Sequence, residues 1–277
     1  MFLKIQCFFL ICINKFMSFL DQKPNTNPPK LVIIKSANRM PATPSIVSSP
    51  SHFTIQLPTN IKSVKQITIA SVIIPYVWDN INGTNNKFII DINSIQTTYT
   101  VTQGTYNIFS LCDAMTSLLG VTDFIVSYNL NTKKITIRNL NLQPFYLRFN
   151  GLSNNIHTVL GFDNIDYGPA IVIEGTSCAK ILDTDALLIK CPTLIAKDNS
   201  DIFIPGNIDK YILGYVPVNV NPGEIIMNNA NWILTSSVNY TLKNIQTLEI
   251  ILTKENQDDP IDMNGQDWIM CLYIFSI

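Results

Sequence analysis

Thr247-Leu248-Glu249-Ile250-Ile251-Leu252-Thr253-Lys254 and Trp268-Ile269-Met270-Cys271-Leu272-Tyr273-Ile274-Phe275-Ser276-Ile277 bracket a polar connector, and their reading decides the fold. In the first arm Leu248, Ile250 and Leu252 share one face while Glu249 and Lys254 lie off it, the two-residue period of a half-buried strand. The connector, residues 255–267, is rich in turn formers, and Asn264-Gly265 supplies the dipeptide that accepts positive φ most readily. The second arm is apolar on both faces, so it reads as a strand covered on two sides; left open it would be an aggregation edge. Together the arms predict two strands joined by one polar turn that closes a sheet.

Working outward, the same period recurs. Phe53, Ile55 and Leu57 alternate with Thr54 and Gln56, and Gln66–Ile74 forms a longer run that ends at Pro75. A further strand is predicted at Lys87–Ile92, after a loop marked by Asn82-Gly83. Others follow at Ala170–Ile173, Ala186–Lys190, Lys210–Val218, Gly223–Met227 and Val238–Leu242, separated by Pro192, Pro205-Gly206, Pro217 and Pro222-Gly223. This is a mainly β chain with about eight strands, the number expected of a single jelly-roll sandwich.

Residues 97–162 break the pattern. Ile108, Leu111, Cys112, Met115, Leu118 and Leu119 fall at helical spacing with Gly120 as the stop, and Ser110 with Asp113 offers a capping box. Strands at Phe124–Tyr128 and Ile135–Ile137 follow, then a short helix with Ser153 as its cap, ending at Gly161-Phe162. These residues read as a small α+β insertion in a jelly roll that spans 51–277. Residues 1–50 form an N-terminal extension and an arm with prolines at 24, 28, 29, 41, 44 and 50.

Hydrophobic residues make up 47% of the chain and charged ones 14%, with a net charge of −1, which suits a protein held among neighbours better than a solitary one. The balance argues against a nucleic-acid binder that works by neutralising phosphates. Met1–Leu20 includes an apolar run, Ile5–Ile13, too short to span a bilayer; it reads either as a signal-peptide core without a cleavage site or as an upstream extension of a chain starting at Met17.

Chemistry is hard to nominate. Neither His52 nor His157 has a ligand at metal spacing, and the six cysteines include no CxxC pair. Asp258, Asp259, Asp262 and Asp267 fail the EF-hand pattern, because aligning Gly265 puts Pro260 in the first ligand position. Tyr76, Trp78, Trp232, Trp268 and Tyr273 are read as core or interface, with an aromatic sugar platform as the alternative. No catalytic, cofactor-binding or metal residue is assigned, and the chain is not read as an enzyme.

Several stretches, in order, resemble the penton-base type of minor capsid protein found in virophages, Polinton-like viruses and related icosahedral double-stranded DNA viruses. They are Ile67–Trp78 with Asp79-Asn80-Ile81-Asn82, then Gln103-Gly104-Thr105-Tyr106-Asn107, then Leu160-Gly161-Phe162, and Ile261–Trp268. The resemblance implies a single jelly roll that forms a homopentamer at the fivefold vertices of a virion made in the host cytoplasm. Its implied partners are the major capsid protein and further copies of itself, with a host receptor as a candidate partner of the exposed insertion. A lectin-like or receptor-binding module is the alternative function.

Overall fold

The structure, a computed structural model, describes residues 28–44, 47–194, 212–229, 233–235, 238–255 and 257–276. Two strands open the chain, β1 (Lys30–Lys35) and β2 (His52–Pro75). Next come β3 (Lys87–Ile92), β4 (Ile95–Thr100), α1 (Ile108–Leu119), β5 (Phe124–Tyr128), β6 (Ile135–Asn139), β7 (Phe145–Arg148), α2 (His157–Leu160), β8 (Tyr167–Ala170) and β9 (Val172–Glu174). The chain closes with β10 (Ala186–Lys190), β11 (Ile212–Pro217), β12 (Ile225–Asn229), β13 (Leu234–Thr235), β14 (Val238–Lys254) and β15 (Ile269–Ser276). The chain is mainly β, a jelly-roll sandwich that carries a small α+β insertion.

The sandwich grows from β2. Its 24 residues are too long for one flat layer, and they pair with β14 through residues 52–67, with β12 through 71–75 and with β15 through 64–73. The order β1-β15-β2-β14-β10-β11-β13 therefore folds over at the middle of β2, where Ser63 takes φ 53°. Pro58 falls between the β14 partners Thr247↔Gln56 and Ile245↔Ile61, where the ladder already shifts register and no N–H is required. Farther along, Ser71 faces Cys271 and Ile69 faces Leu272, so Ala70 is an extra, bulged residue; Ile69 and Ala70 are both buried as a result. The two layers meet closely: a Cβ on Gly214 of β11 would lie 2.5 Å from Ile69 Cδ1.

Two expectations change here. The arms around the 255–267 connector do not pair with one another, because β14 and β15 lie on opposite edges of β2. A thirteen-residue connector can cross that gap, whereas a two-residue hairpin turn cannot. The runs at 53–57 and 66–74, read as separate strands, are one. The cover that the last strand needed is β1, paired with it from Lys30↔Ile274 to Lys35↔Ile269.

The insertion is also wider than its helical segment. Lys87–Ile92 and Ala170–Ile173, assigned to the sandwich by their period, pair instead inside the insertion. β3 lies between β4 and β7, β8 extends that sheet, and β9 pairs with β6. A period of two identifies a strand but not its partner. These sheets and α1 enclose a second core, including Phe88, Leu111, Met115, Ile137, Leu147 and Leu160. Helix α1 is capped by Asn107, whose Oδ1 accepts from the Phe109 and Ser110 N–H groups at 3.0 and 2.9 Å, in place of the Ser110 box. Helix α2 has no side-chain cap, so Ser153 does not serve.

Gly161 stops α2 with φ 78°, and a Cβ there would sit 2.4 Å from the Ser177 carbonyl oxygen. Gly161→Ala adds backbone strain to a clash with backbone, and is expected to cost roughly 2–3 kcal/mol, read as a lowered thermal midpoint.

Candidate functional site

The stretches that carry the family resemblance lie far apart in sequence, and three of them meet where the chain leaves the sandwich for the insertion. Trp78 belongs to the first core and Ile81 to the second, so the crossing takes three residues. Just past Pro75, Tyr76 and Trp78 point the same way and stack with centroids 3.9 Å apart. Both are fully buried, so their polar atoms need partners. Asp183, on the returning chain, provides one: its Oδ1 accepts from the Tyr76 hydroxyl at 3.0 Å and the Trp78 indole N–H at 3.1 Å, while Lys254 Nζ pairs with its Oδ2. Burial, reinforced by the Asp183 charge, holds the Tyr76 phenol well above its ordinary pKa.

Asn80 ties the crossing chains together. Its Nδ2 donates to the Tyr106 and Ile181 carbonyls at 2.8 and 2.9 Å, and its Oδ1 accepts from the Tyr106 N–H at 2.8 Å. Thr105 Oγ1 donates to the Val77 and Trp78 carbonyls at 2.9 and 3.1 Å. From the connector, Asn264 Nδ2 donates to the Val77 carbonyl at 2.6 Å. That asparagine is presented by a two-residue turn with φ 47° at Asn264 and 74° at Gly265, closed by the Gln266 N–H on the Met263 carbonyl, as the Asn-Gly pair predicts. Next to it, Asp267 binds Ser36 and Arg39 at 2.7 Å each, and the Trp268 indole donates to the Pro50 carbonyl at 2.7 Å. The Leu160-Gly161-Phe162 stretch stays apart, inside the second core.

The other residues singled out in the sequence are dispersed. Tyr76, Trp78 and Trp268 are 0, 1 and 2% exposed and offer no face to a sugar; Tyr273 is half-buried, and Trp232 lies outside the described residues, as does the 1–20 segment. Asp258 pairs with Lys190, Asp262 accepts from the Asn264 N–H, and Asp267 is held by Arg39, so these three carboxylates have separate partners. Among the described residues no group of three metal-ligating side chains forms. His52 Nε2 meets Glu249 Oε1 at 2.9 Å, and His157 contacts Asn155 and packs near Phe149. Burial pushes the Cys191 thiol up to about 12; burial, then the nearby Asp113, pushes Cys112 up to about 11. Neither supplies thiolate near neutrality. Among the described residues, no helix is long and apolar enough to cross a membrane.

The insertion also has an apolar end. Leu140 N–H donates to the Asp123 carbonyl, and Asn141 Nδ2 to its carboxylate, bringing the α1–β5 and β6–β7 turns together with Val121 and Leu142 66 and 63% exposed. Leu142 holds φ 58°, an unusual conformation for a bulky residue. On the neighbouring sheet, Arg148 joins buried Asp91 to Asp166 at 2.7 and 2.8 Å, and both carboxylates favour its charged form.

The fold defined by these residues is a mainly β jelly roll whose α+β lobe is hydrogen-bonded to the sandwich at this joint. No family model matches the chain, and no curated protein does. Among solved structures it is similar to the crystal structure of selenomethionine-labelled mavirus penton protein, at 12% identity and a TM-score of 0.49 over 89% of this chain and 99% of that one.

Asn80→Ala leaves two carbonyls and one N–H at the joint without partners. It is expected to cost about 2–4 kcal/mol and to open the 78–81 and 181–183 crossings to limited proteolysis before global unfolding. For the thiols, iodoacetamide at pH 9 is expected to modify exposed Cys178 while Cys112 and Cys191 stay unmodified until denaturant is added, read by peptide mass mapping.

Proposed function

We propose that this chain is a vertex (penton) minor capsid protein: a homopentamer at the fivefold positions of an icosahedral virion that contacts the surrounding major capsid protein. The observation that carries the reading is the joint. Residues quoted for the family resemblance, spread from 76 to 268, come together at one junction between a jelly roll and a lobe, where Asn80, Thr105 and Asn264 bind across it. A subunit that must present both a wall and a lobe to its neighbours needs such a joint, because it sets where the lobe stands on the sandwich.

Two further features support it. The charge-poor composition fits a subunit covered by neighbours. A ring of five uses a heterologous contact that closes on itself, which asks for two different surfaces on each copy. Here the sandwich and the lobe offer one each. In this reading the sandwich, with β1 paired onto β15, makes the ring wall, and the lobe with its apolar turns faces outward, where a host receptor would meet it.

Light scattering beside native mass spectrometry on the full chain is expected to give five times the subunit mass. A stable monomer at high concentration, with and without major capsid protein, would overturn the proposal.

A further inference from the structure

The sandwich has an open side. β1 ends the sheet order, so its outer edge carries no strand among the described residues. Among the described residues, β2 pairs along 52–61 with a strand on one edge, β14, since its ladder with β15 begins at Val64. Among the described residues, the chain at 40–49 meets the start of the other edge through Met40 N–H to the Thr54 carbonyl and the Ser48↔Phe53 bridge. Between β1 and residues 55–61 of β2 lies a groove of about 570 Å³. Its floor is apolar, with Ile34, Ile55, Leu57 and Ile61 at 1, 6, 3 and 3% exposure, and its rim carries Leu31 and Ile33, each 57% exposed. A strand edge over an apolar floor is the arrangement that accepts an added strand: the backbone supplies hydrogen bonds and the floor accepts alternate side chains.

Charge decides what fits. From residue 28 to residue 78 the chain has no Asp or Glu but has Lys30, Lys35, Arg39, Lys62 and Lys65. Arg39 is taken by Asp267, while all four lysines are exposed, and among the described residues no carboxylate pairs with any of them. Lys30 lines the groove, and Lys62 follows its lining residue Ile61. β15, on the inner side of β1, is uncharged. The chain's own residues 1–27 carry three lysines and one aspartate, the wrong sign for this rim. We propose that the groove binds an extended segment of a partner protein that is apolar at alternate positions and bears carboxylates between them. Basic residues on an edge strand also deter strand addition in general. The difference is measurable: deterrence repels every strand, whereas this groove selects acidic ones. The inference does not depend on the chain forming a ring.

The test is fluorescence anisotropy on the full chain with three labelled ten-residue peptides: alternating valine and aspartate, alternating valine and lysine, and five valines followed by five aspartates. The alternating acidic peptide is expected to bind at least tenfold more tightly than either of the others. Lys30→Glu with Lys62→Glu is expected to lower its affinity at least tenfold, as is Leu31→Glu, with unchanged circular dichroism and thermal midpoint. All three substitutions are at exposed positions, so the fold is expected to survive them; if one shifts the midpoint, Lys30→Gln with Lys62→Gln replaces it. Equal binding of the acidic peptides, preference for the basic one, binding of none, or affinity unchanged by the substitutions overturns the proposal. So does self-association that Leu31→Glu abolishes, which would assign the groove to a second copy.

Discussion

Everything in the sandwich depends on the hydrogen-bonding groups of β2 finding partners along 24 residues on two edges. No single neighbour can follow a strand through a bend, so the job is divided among β14, β12 and β15. The places where partners change are those where the ladder slips: the bulge at Ala70, the shifts along β14 and the positive φ at Ser63. Each slip resets which side chains face inward. Thus Phe53, Ile55 and Leu57 fill the core in one phase, and Val72 and Ile74 fill it in another. A continuous ladder would have put one of these sets in water.

This explains what could be read without coordinates. Strand positions were legible because alternation survives locally: Leu248, Ile250 and Leu252 are all buried, as their period requires. The spacing of Leu111, Cys112, Met115 and Leu119 likewise gave α1 and its buried face. Pairing was not legible. β14 and β15 look like a hairpin in sequence, and only the insertion of β2 between them separates the two. The insertion's extent was missed for the same reason, since nothing in Lys87–Ile92 says whether its neighbour is β2 or β7.

The joint shows both outcomes at once. Asn80, Gly104-Thr105-Tyr106 and Asn264-Gly265 stood out as local sequence, and they proved to touch. Asp183 did not stand out, although it accepts from Tyr76 and Trp78 and pairs with Lys254. Its partners lie about a hundred residues upstream and seventy downstream in sequence, and it sits in a segment with no periodicity of its own. A lone acidic residue acquires its meaning from the two buried aromatics that must donate to something.

Because the chain crosses from one core to the other in three residues, and Asn80, Thr105 and Asn264 add bonds from three separate segments, the lobe's orientation is set by more than the covalent crossing. The bonds from Thr105 and Asn264 fall on Val77 and Trp78, just after β2, so the lobe's bearing is referred to the one strand that both layers of the sandwich share.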